Sequence, residues 1–134
     1  MRRLPLDLTL VAVAVGGAIG AWARLGLAEL LPVEPGRWPW ATFAANLIGC
    51  ALLGYASTRL LERLPPSTYR RPLIGTGLCG GLTTFSALQL EVVELGRDGH
   101  PALAVAYLCL SAALGLVAVW LTAGLVRRAH LRPA

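Results

Sequence analysis

The sequence predicts an all-α membrane protein with four transmembrane helices, of which the third is broken by a polar run. Hydrophobic residues make up 56% of the 134 positions and charged residues only 14%, whereas a soluble domain is about one quarter charged. Four apolar runs are each long enough for a hydrocarbon core about 30 Å thick, which takes about 20 helical residues. The third run contains the letters GGLTTFS at residues 80–86, and this segment predicts the break.

The predicted spans cover about residues 8–31, 40–61, 72–95 and 102–126 and form a single four-span unit over residues 1–134. Their connections are short and polar or proline-rich, so no separate soluble domain is predicted. A cleaved signal peptide is the alternative for the first run, but that run exceeds a normal signal-peptide core and three more spans follow. Small residues recur at four-residue spacing, as in Gly16 and Gly20, a pattern that lets helices approach closely in lipid.

Every basic residue is an arginine, and the arginines are shared unequally between the two faces of the predicted bundle. Nine fall on the face of the N-terminus, the second connection and the C-terminus: Arg2, Arg3, Arg59, Arg63, Arg70, Arg71, Arg127, Arg128 and Arg132. The opposite face has Arg37 and Arg97, with Arg24 near the end of the first span. The positive-inside rule therefore predicts a multi-pass protein of the cell membrane with both termini in the cytoplasm. These arginines form no amphipathic or aromatic-interleaved patch, so no nucleic-acid partner is expected.

The polar run at residues 80–86 is the first of three places where the apolar pattern fails. Its glycines permit non-helical backbone, and an unwound span is tolerated only where its freed amides and carbonyls are buried in protein or line a cavity. Freed carbonyls coordinate cations, and the N-terminus of a following half-helix favours an anion. The alternative is an intact helix that uses the small residues as a contact face.

Asn46 and Arg24 are the other two places, each within a predicted span. The Asn46 amide either bonds across helices as structural glue or donates to a permeating anion. Arg24 either extends to the interface, pairs with Glu29, or attracts anions toward a vestibule. The residues alone leave these alternatives open. Weaker signals come from Ser111 and from Glu91 and Glu94, for which solvated positions at the end of the span are the simplest interpretation.

The chemistry of an enzyme is missing from the predicted spans. His100 and His130 fall in a connection and the C-terminal tail, and no nucleophile–base set, metal-ligand cluster or phosphate-binding loop is recognisable. Cys50, Cys79 and Cys109 are interpreted as packing residues because their odd number and wide spacing fit neither disulfides nor a zinc site. Passive permeation is therefore the expected class of function.

Three stretches resemble the signatures of the Fluc/CrcB family of fluoride channels: residues 16–24, residues 42–49 around Asn46, and residues 77–86. The resemblance implies four-span subunits that pair antiparallel, in lipid, around two fluoride pores and a central structural Na⁺. The positions matching the sodium ligands, which act through backbone carbonyls, are Gly80 and Thr83. Those matching the fluoride pathway are Asn46, Phe85, Ser86, Ser111 and Arg24, with Phe85 offering the positive edge of its ring.

One departure from the family pattern bears on function. The family reads TTFSTF, whereas Ala87 and Leu88 stand here in place of the last two letters. Leucine has no ring edge to offer an anion. The expected antiparallel partner is the same chain or a paralogue. The leucine and the arginine bias together add two alternatives, one member of an obligate pair of unlike subunits or a non-conducting subunit. A small multidrug exporter is disfavoured because it needs a mid-span glutamate in the first helix, where residues 8–23 contain none.

Overall fold

A computed structural model describes residues 6–65 and 67–129 of the chain, and within those ranges the structure is all-helical. Its helices are α1 (Leu6–Leu30), α2 (Trp40–Thr58), α3 (Pro72–Cys79, continued by Gly80–Leu82), α4 (Phe85–Arg97) and α5 (Pro101–Ala129). Four segments are long and apolar enough to cross a membrane: Leu8–Leu30, Trp40–Glu62, Pro72–Arg97 and Pro101–Ala129. The predicted fold class is confirmed. Four residues named above lie outside the described residues: Arg2, Arg3, His130 and Arg132.

Two segments wind more widely than an α-helix. Arg59–Arg63 extends α2 as a π-helical turn, and the Pro72–Cys79 half of α3 is also π-helical. Pro72 begins α3. Proline has no backbone N–H, and it is tolerated there because the first amides of a helix have no partner within the helix. The second span therefore includes Arg59–Arg63, and the third consists of α3 and α4 on either side of the break.

Helices α1 and α3 pack backbone to backbone along the predicted small-residue stripe. A Cβ added at Gly20 would collide with the carbonyl oxygen of Leu78 and lie 2.7 Å from the amide nitrogen of Leu82. A Cβ added at Gly81 would likewise collide with the Gly17 carbonyl oxygen. Only glycine permits such an approach, and van der Waals contact of this kind holds helices together where lipid removes the hydrophobic driving force.

Contacts at the two ends of the bundle fix an up-and-down course for the chain. At one end, the Arg127 guanidinium donates two hydrogen bonds of 2.6 and 3.0 Å to the Glu62 carboxylate. Arg71 donates to the Leu60 carbonyl at 3.1 Å beside it. At the other end, Gly36 has a φ of +71° and lies against the His100 ring. The end of the bundle with the Arg127–Glu62 pair is the arginine-rich end, since it contains the described arginines Arg59, Arg70, Arg71, Arg127 and Arg128.

The buried core lies between α4 and α5. Leu88, Leu95, Ala104 and Tyr107 form one cluster, against which Trp38 and Phe43 pack. Trp38 meets the Tyr107 ring edge-on at a centroid distance of 5.2 Å. Many large apolar side chains elsewhere are exposed, such as Trp22 at 76%, which is the surface that lipid covers in a membrane protein.

Candidate functional site

The break in the third span lies at Thr83 and Thr84, whose backbones are extended. Their φ/ψ angles are −82°/149° and −147°/116°. Thr84 is the N-cap of α4, and its Oγ1 accepts a 3.2 Å hydrogen bond from the Ala87 amide. The β-region backbone of a threonine N-cap, followed directly by Phe85, is a common way to start a helix. The alternative of an intact third helix is therefore wrong.

Asn46 holds the broken segment in place through both ends of its side-chain amide. Its Nδ2 donates to the Thr84 carbonyl at 3.1 Å, and its Oδ1 accepts from the Thr84 amide at 2.8 Å. These two bonds replace the helical partners that Thr84 gives up at the break. Asn46 thus acts as glue between α2 and the third span. An asparagine amide has two N–H donors, and the second N–H remains available to a ligand.

The same bonds leave two backbone carbonyls free. In a continuous helix the Gly80 carbonyl would accept from the Thr84 amide and the Thr83 carbonyl from the Ala87 amide. Those amides instead donate to Asn46 and to the Thr84 hydroxyl. Over the described part of the chain, no hydrogen bond reaches either carbonyl. Gly80 and Thr83 are the two positions that the sequence predicts as cation ligands.

Side-chain metal ligands do not gather anywhere in the described ranges. No group of three or more histidine, cysteine, aspartate or glutamate residues there could hold a metal ion. The donors that remain for a hard cation are therefore backbone oxygens, and their chemistry fits a hard, oxygen-seeking ion such as Na⁺.

The break opens into a groove of about 730 Å³ between α2, the third span and α5. Asn46, Gly80, Thr83, Phe85 and Ser111 all line it. The Phe85 side chain is 69% exposed. The Ser111 hydroxyl is buried and has no hydrogen-bond partner within the described residues. Five of the seven predicted site residues thus meet in one groove.

Ser86 and Arg24 lie outside this groove lining. Ser86 is exposed at the start of α4, with its hydroxyl 3.3 Å from that of Thr84. Arg24 is half-buried in α1, and its Nε is buried without a hydrogen-bond partner in the described ranges. The pairing of Arg24 with Glu29, one of the three alternatives, is absent from the ion pairs of residues 6–65 and 67–129.

A buried polar triad joins Thr42, Glu91 and Tyr107 across three helices. Thr42 donates to one Glu91 carboxylate oxygen at 2.5 Å, and Tyr107 donates to the other at 2.6 Å. Tyr107 is fully buried and Thr42 is 8% exposed. Glu91 is thus not a solvated residue at the span end, which was the simplest interpretation of the sequence. The sequence does not predict a role for Thr42 or Tyr107 in this triad, because only the fold brings their hydroxyl groups to Glu91.

Leu88 occupies a different environment from Phe85. It is 6% exposed and belongs to the core cluster with Leu95 and Tyr107, while also lining the groove. Phe85, three residues earlier, projects into open space. Both positions of the family motif therefore border the groove, but Phe85 is exposed there, whereas Leu88 is also packed into the core.

These features define a class of protein: a small four-span membrane protein whose third span is interrupted at a mainly apolar groove that contains a few polar groups. The model of the family described as "CrcB-like protein, Camphor Resistance (CrcB)" matches residues 11–123, and the chain belongs to this family.

Named relatives of the chain are ion channels. The fluoride-specific ion channel FluC 1 of Mycobacterium bovis is 57% identical over 123 residues, which cover 92% of this chain and 93% of that protein. FluC 1 of Streptomyces coelicolor is 40% identical over 116 residues, 87% of this chain and 75% of its own length. FluC 2 of Thermobifida fusca is 39% identical over 127 residues, 92% of this chain and 94% of that protein. Membership in a channel family confirms that the chain is not an enzyme.

Proposed function

We propose that this chain is a subunit of a fluoride-specific channel through which fluoride leaves the cytoplasm passively. The observation that carries the proposal is the pair of hydrogen bonds between Asn46 and Thr84, one donated by each residue, which holds the broken span open at the groove. The names of the relatives supply the ion. Within the described ranges nothing resembles an energy-coupling or catalytic site.

The anion pathway that we propose runs along the groove. The N-terminus of α4 carries partial positive charge from its free amides. The second Nδ2 hydrogen of Asn46 and the ring edge of Phe85 add further positive partners for a small anion. The unpartnered Ser111 hydroxyl continues this polar lining. Ser86 and Arg24 belong to the pathway only if it extends beyond the groove, toward the start of α4 and toward α1.

The second part of the proposal is a structural Na⁺ held by the carbonyls of Gly80 and Thr83. Both carbonyls lack the helical partner that they would otherwise have, and both residues line the groove. Two oxygens are too few for a hard cation, which normally takes six or more. A second subunit that presents the same two carbonyls would supply four.

A partner subunit also explains why the groove is open. Phe85 exposes 69% of its surface, and the groove is lined by polar backbone that lipid does not satisfy. We propose that a second four-span subunit, antiparallel to the first, covers this face. The charge of the arginine-rich end opposes inversion of this chain. Its partner is then a paralogue with the opposite bias, and relatives named FluC 1 and FluC 2 are compatible with such pairs.

Leu88 also favours a paralogue as the second subunit. The leucine contributes to the core instead of offering a ring edge to the groove, so this chain supplies fewer anion contacts than the family motif provides. A partner with an intact motif would complete one competent pore. A wholly non-conducting role is disfavoured by Asn46 and Phe85, which retain the geometry that the pathway needs.

Growth of a fluoride-sensitive bacterium that lacks its own fluoride channel tests the function. Expression of this chain together with its paralogue is expected to restore growth on fluoride, and the Asn46→Ala variant is expected not to. Membrane fractions show that both proteins are present. Absence of rescue by the chain, alone or with the paralogue, while both are present in the membrane would refute the proposed function.

A further inference from the structure

Two cysteines lie on the groove wall at the same depth in the bundle. Asn46 of α2 is opposite Thr84, and the next turn of α2 brings Gly49 against the Thr83 side chain. Residue numbers rise in α2 as they fall in the third span, as antiparallel neighbours require. Cys50 is one turn from Asn46 in α2, and Cys79 is one turn from Thr83 in the third span.

The two thiols share one cavity and are unoxidised. Both Cys50 and Cys79 line the groove, and both are free of disulfides. Cys79 is 3% exposed, whereas Cys50 is half-buried and touches α5, its Sγ 3.3 Å from where a Cβ at Gly115 would be. Cys109 differs, because it is exposed on α5 and does not line the groove.

We propose that Cys50 and Cys79 form a two-sulfur site for a soft monovalent cation of the Cu(I) or Ag(I) type. Thiolate sulfur selects soft ions over Na⁺, Mg²⁺ or Ca²⁺. On binding, each S–H gives its proton to water, two S–metal bonds form, and no electron is transferred. Ions of this type accept two-coordinate binding by two sulfurs. The site therefore does not need a group of three metal-binding side chains, which the described ranges do not contain.

This site is separate from the sodium position in the proposed function, since it uses sulfur rather than oxygen. It is also adjacent to that position. The Cys79 carbonyl accepts from the Thr83 amide at 2.9 Å and from the Thr83 hydroxyl at 2.8 Å. A cation on Cys79 therefore sits one helical turn from the break.

The test is silver retention by the purified full-length chain in a chloride-free buffer that contains excess N-acetylcysteine. A lone protein thiol loses its silver to this competitor, and a chelating pair keeps it. The unmutated chain and the Cys109→Ala control are each expected to retain one Ag(I). In the Cys109→Ala background, Cys50→Ala and Cys79→Ala are each expected to weaken retention by at least about 100-fold, since each removes one of the two ligands.

A second measurement needs no substitution at the site. Silver is expected to protect Cys50 of the unmutated chain from alkylation by N-ethylmaleimide while Cys109 remains reactive under the same competition. Retention that survives the loss of Cys50 or Cys79, a lack of retention by the unmutated chain, or equal protection of Cys109 would each overturn the site. The first two results identify the cysteines as packing residues only, and none of the three depends on fluoride conduction.

Discussion

At the scale of single residues, Asn46 determines the shape of the site. A span in lipid cannot leave amides and carbonyls unsatisfied, yet the third span departs from helical geometry at Thr83 and Thr84. The asparagine resolves this conflict at Thr84 by supplying one donor and one acceptor from a neighbouring helix. An ionised aspartate at this position would accept from the Thr84 amide but could not donate to the Thr84 carbonyl.

Asn46→Ala is expected to lower stability by about 1–3 kcal/mol for each Thr84 group left unsatisfied, and to abolish fluoride efflux from liposomes that contain the chain together with its paralogue. Thermal unfolding in detergent and efflux from liposomes measure the two effects. Ser57→Ala is the matched control in α2, because the Ser57 hydroxyl bonds only to carbonyls of its own helix. Equal effects of both substitutions would contradict the role of Asn46.

Phe85→Leu is expected to remove fluoride efflux from liposomes that contain the chain together with its paralogue, while leaving folding and yield nearly unchanged. Phe85 is 69% exposed in the groove, so the substitution opens no core cavity but deletes the ring edge that faces an anion. Trp22→Leu provides the control, since Trp22 is an exposed aromatic on α1 away from the groove. Efflux that persists at the unmutated rate in Phe85→Leu would exclude this ring from the pathway.

The Thr42–Glu91–Tyr107 triad is a stability element whose loss is measurable. Thr42→Val keeps the side-chain volume but removes a donor to the half-buried Glu91 carboxylate, a change expected to cost about 1.5–3 kcal/mol. Thr122→Val is the comparison, because the Thr122 hydroxyl bonds only within α5. Chemical denaturation of the two variants measures the difference. Equal stabilities of the two variants would show that the hydrogen bond from Thr42 to Glu91 does not stabilise the fold.

At the scale of helices, the contact of α1 with α3 sets the position of the break. Glycine lets the two backbones touch, so the end of α3 is held against α1 just before the chain unwinds. Gly20→Ala is expected to destabilise the protein and lower the yield of folded chain, although alanine normally favours a helix by about 1 kcal/mol. The physical reason is the collision of the new methyl group with the backbone at Leu78 and Leu82.

Gly26→Ala separates packing from helix propensity. Gly26 lies in the same helix, and a Cβ there would meet no atom within 4 Å. This substitution is expected to be neutral or slightly stabilising. Size-exclusion profiles and melting temperatures of the two variants compare them directly, and a Gly20→Ala protein as stable as Gly26→Ala would contradict the close packing of α1 on α3.

The helices and the break were predictable from sequence because their signals are local. Hydropathy marks each span within its own residues, and the glycine–threonine run marks its own interruption. The triad was not predictable, since it joins Thr42 to Glu91 across 49 positions and Glu91 to Tyr107 across 16. The choice between roles for Asn46 likewise depended on its distance from Thr84. Pairing of Arg24 with Glu29 was one of the alternatives from sequence, yet the structure leaves the Arg24 Nε unpartnered within its described part, and five residues exceed the three- or four-residue spacing of helix neighbours.

At the scale of the whole molecule, the distribution of arginines and the open groove are the basis for the proposed second subunit. The arginine-rich end gives this chain one preferred orientation, while its groove presents free carbonyls and an exposed Phe85 to the outside. The proposed second subunit would cover that groove and add two further oxygens to the sodium position. Conduction then belongs to the pair, and the lone chain is expected to conduct poorly.

Efflux from liposomes loaded with fluoride or chloride tests the central claim most directly. Liposomes that contain this chain with its paralogue are expected to release fluoride and retain chloride, and liposomes with the chain alone to release little of either. Fast fluoride release by the lone chain would remove the need for a paralogue but leave the channel in place. Retention of fluoride in both preparations, or release of chloride as fast as fluoride, would contradict the account of this protein as a fluoride channel subunit.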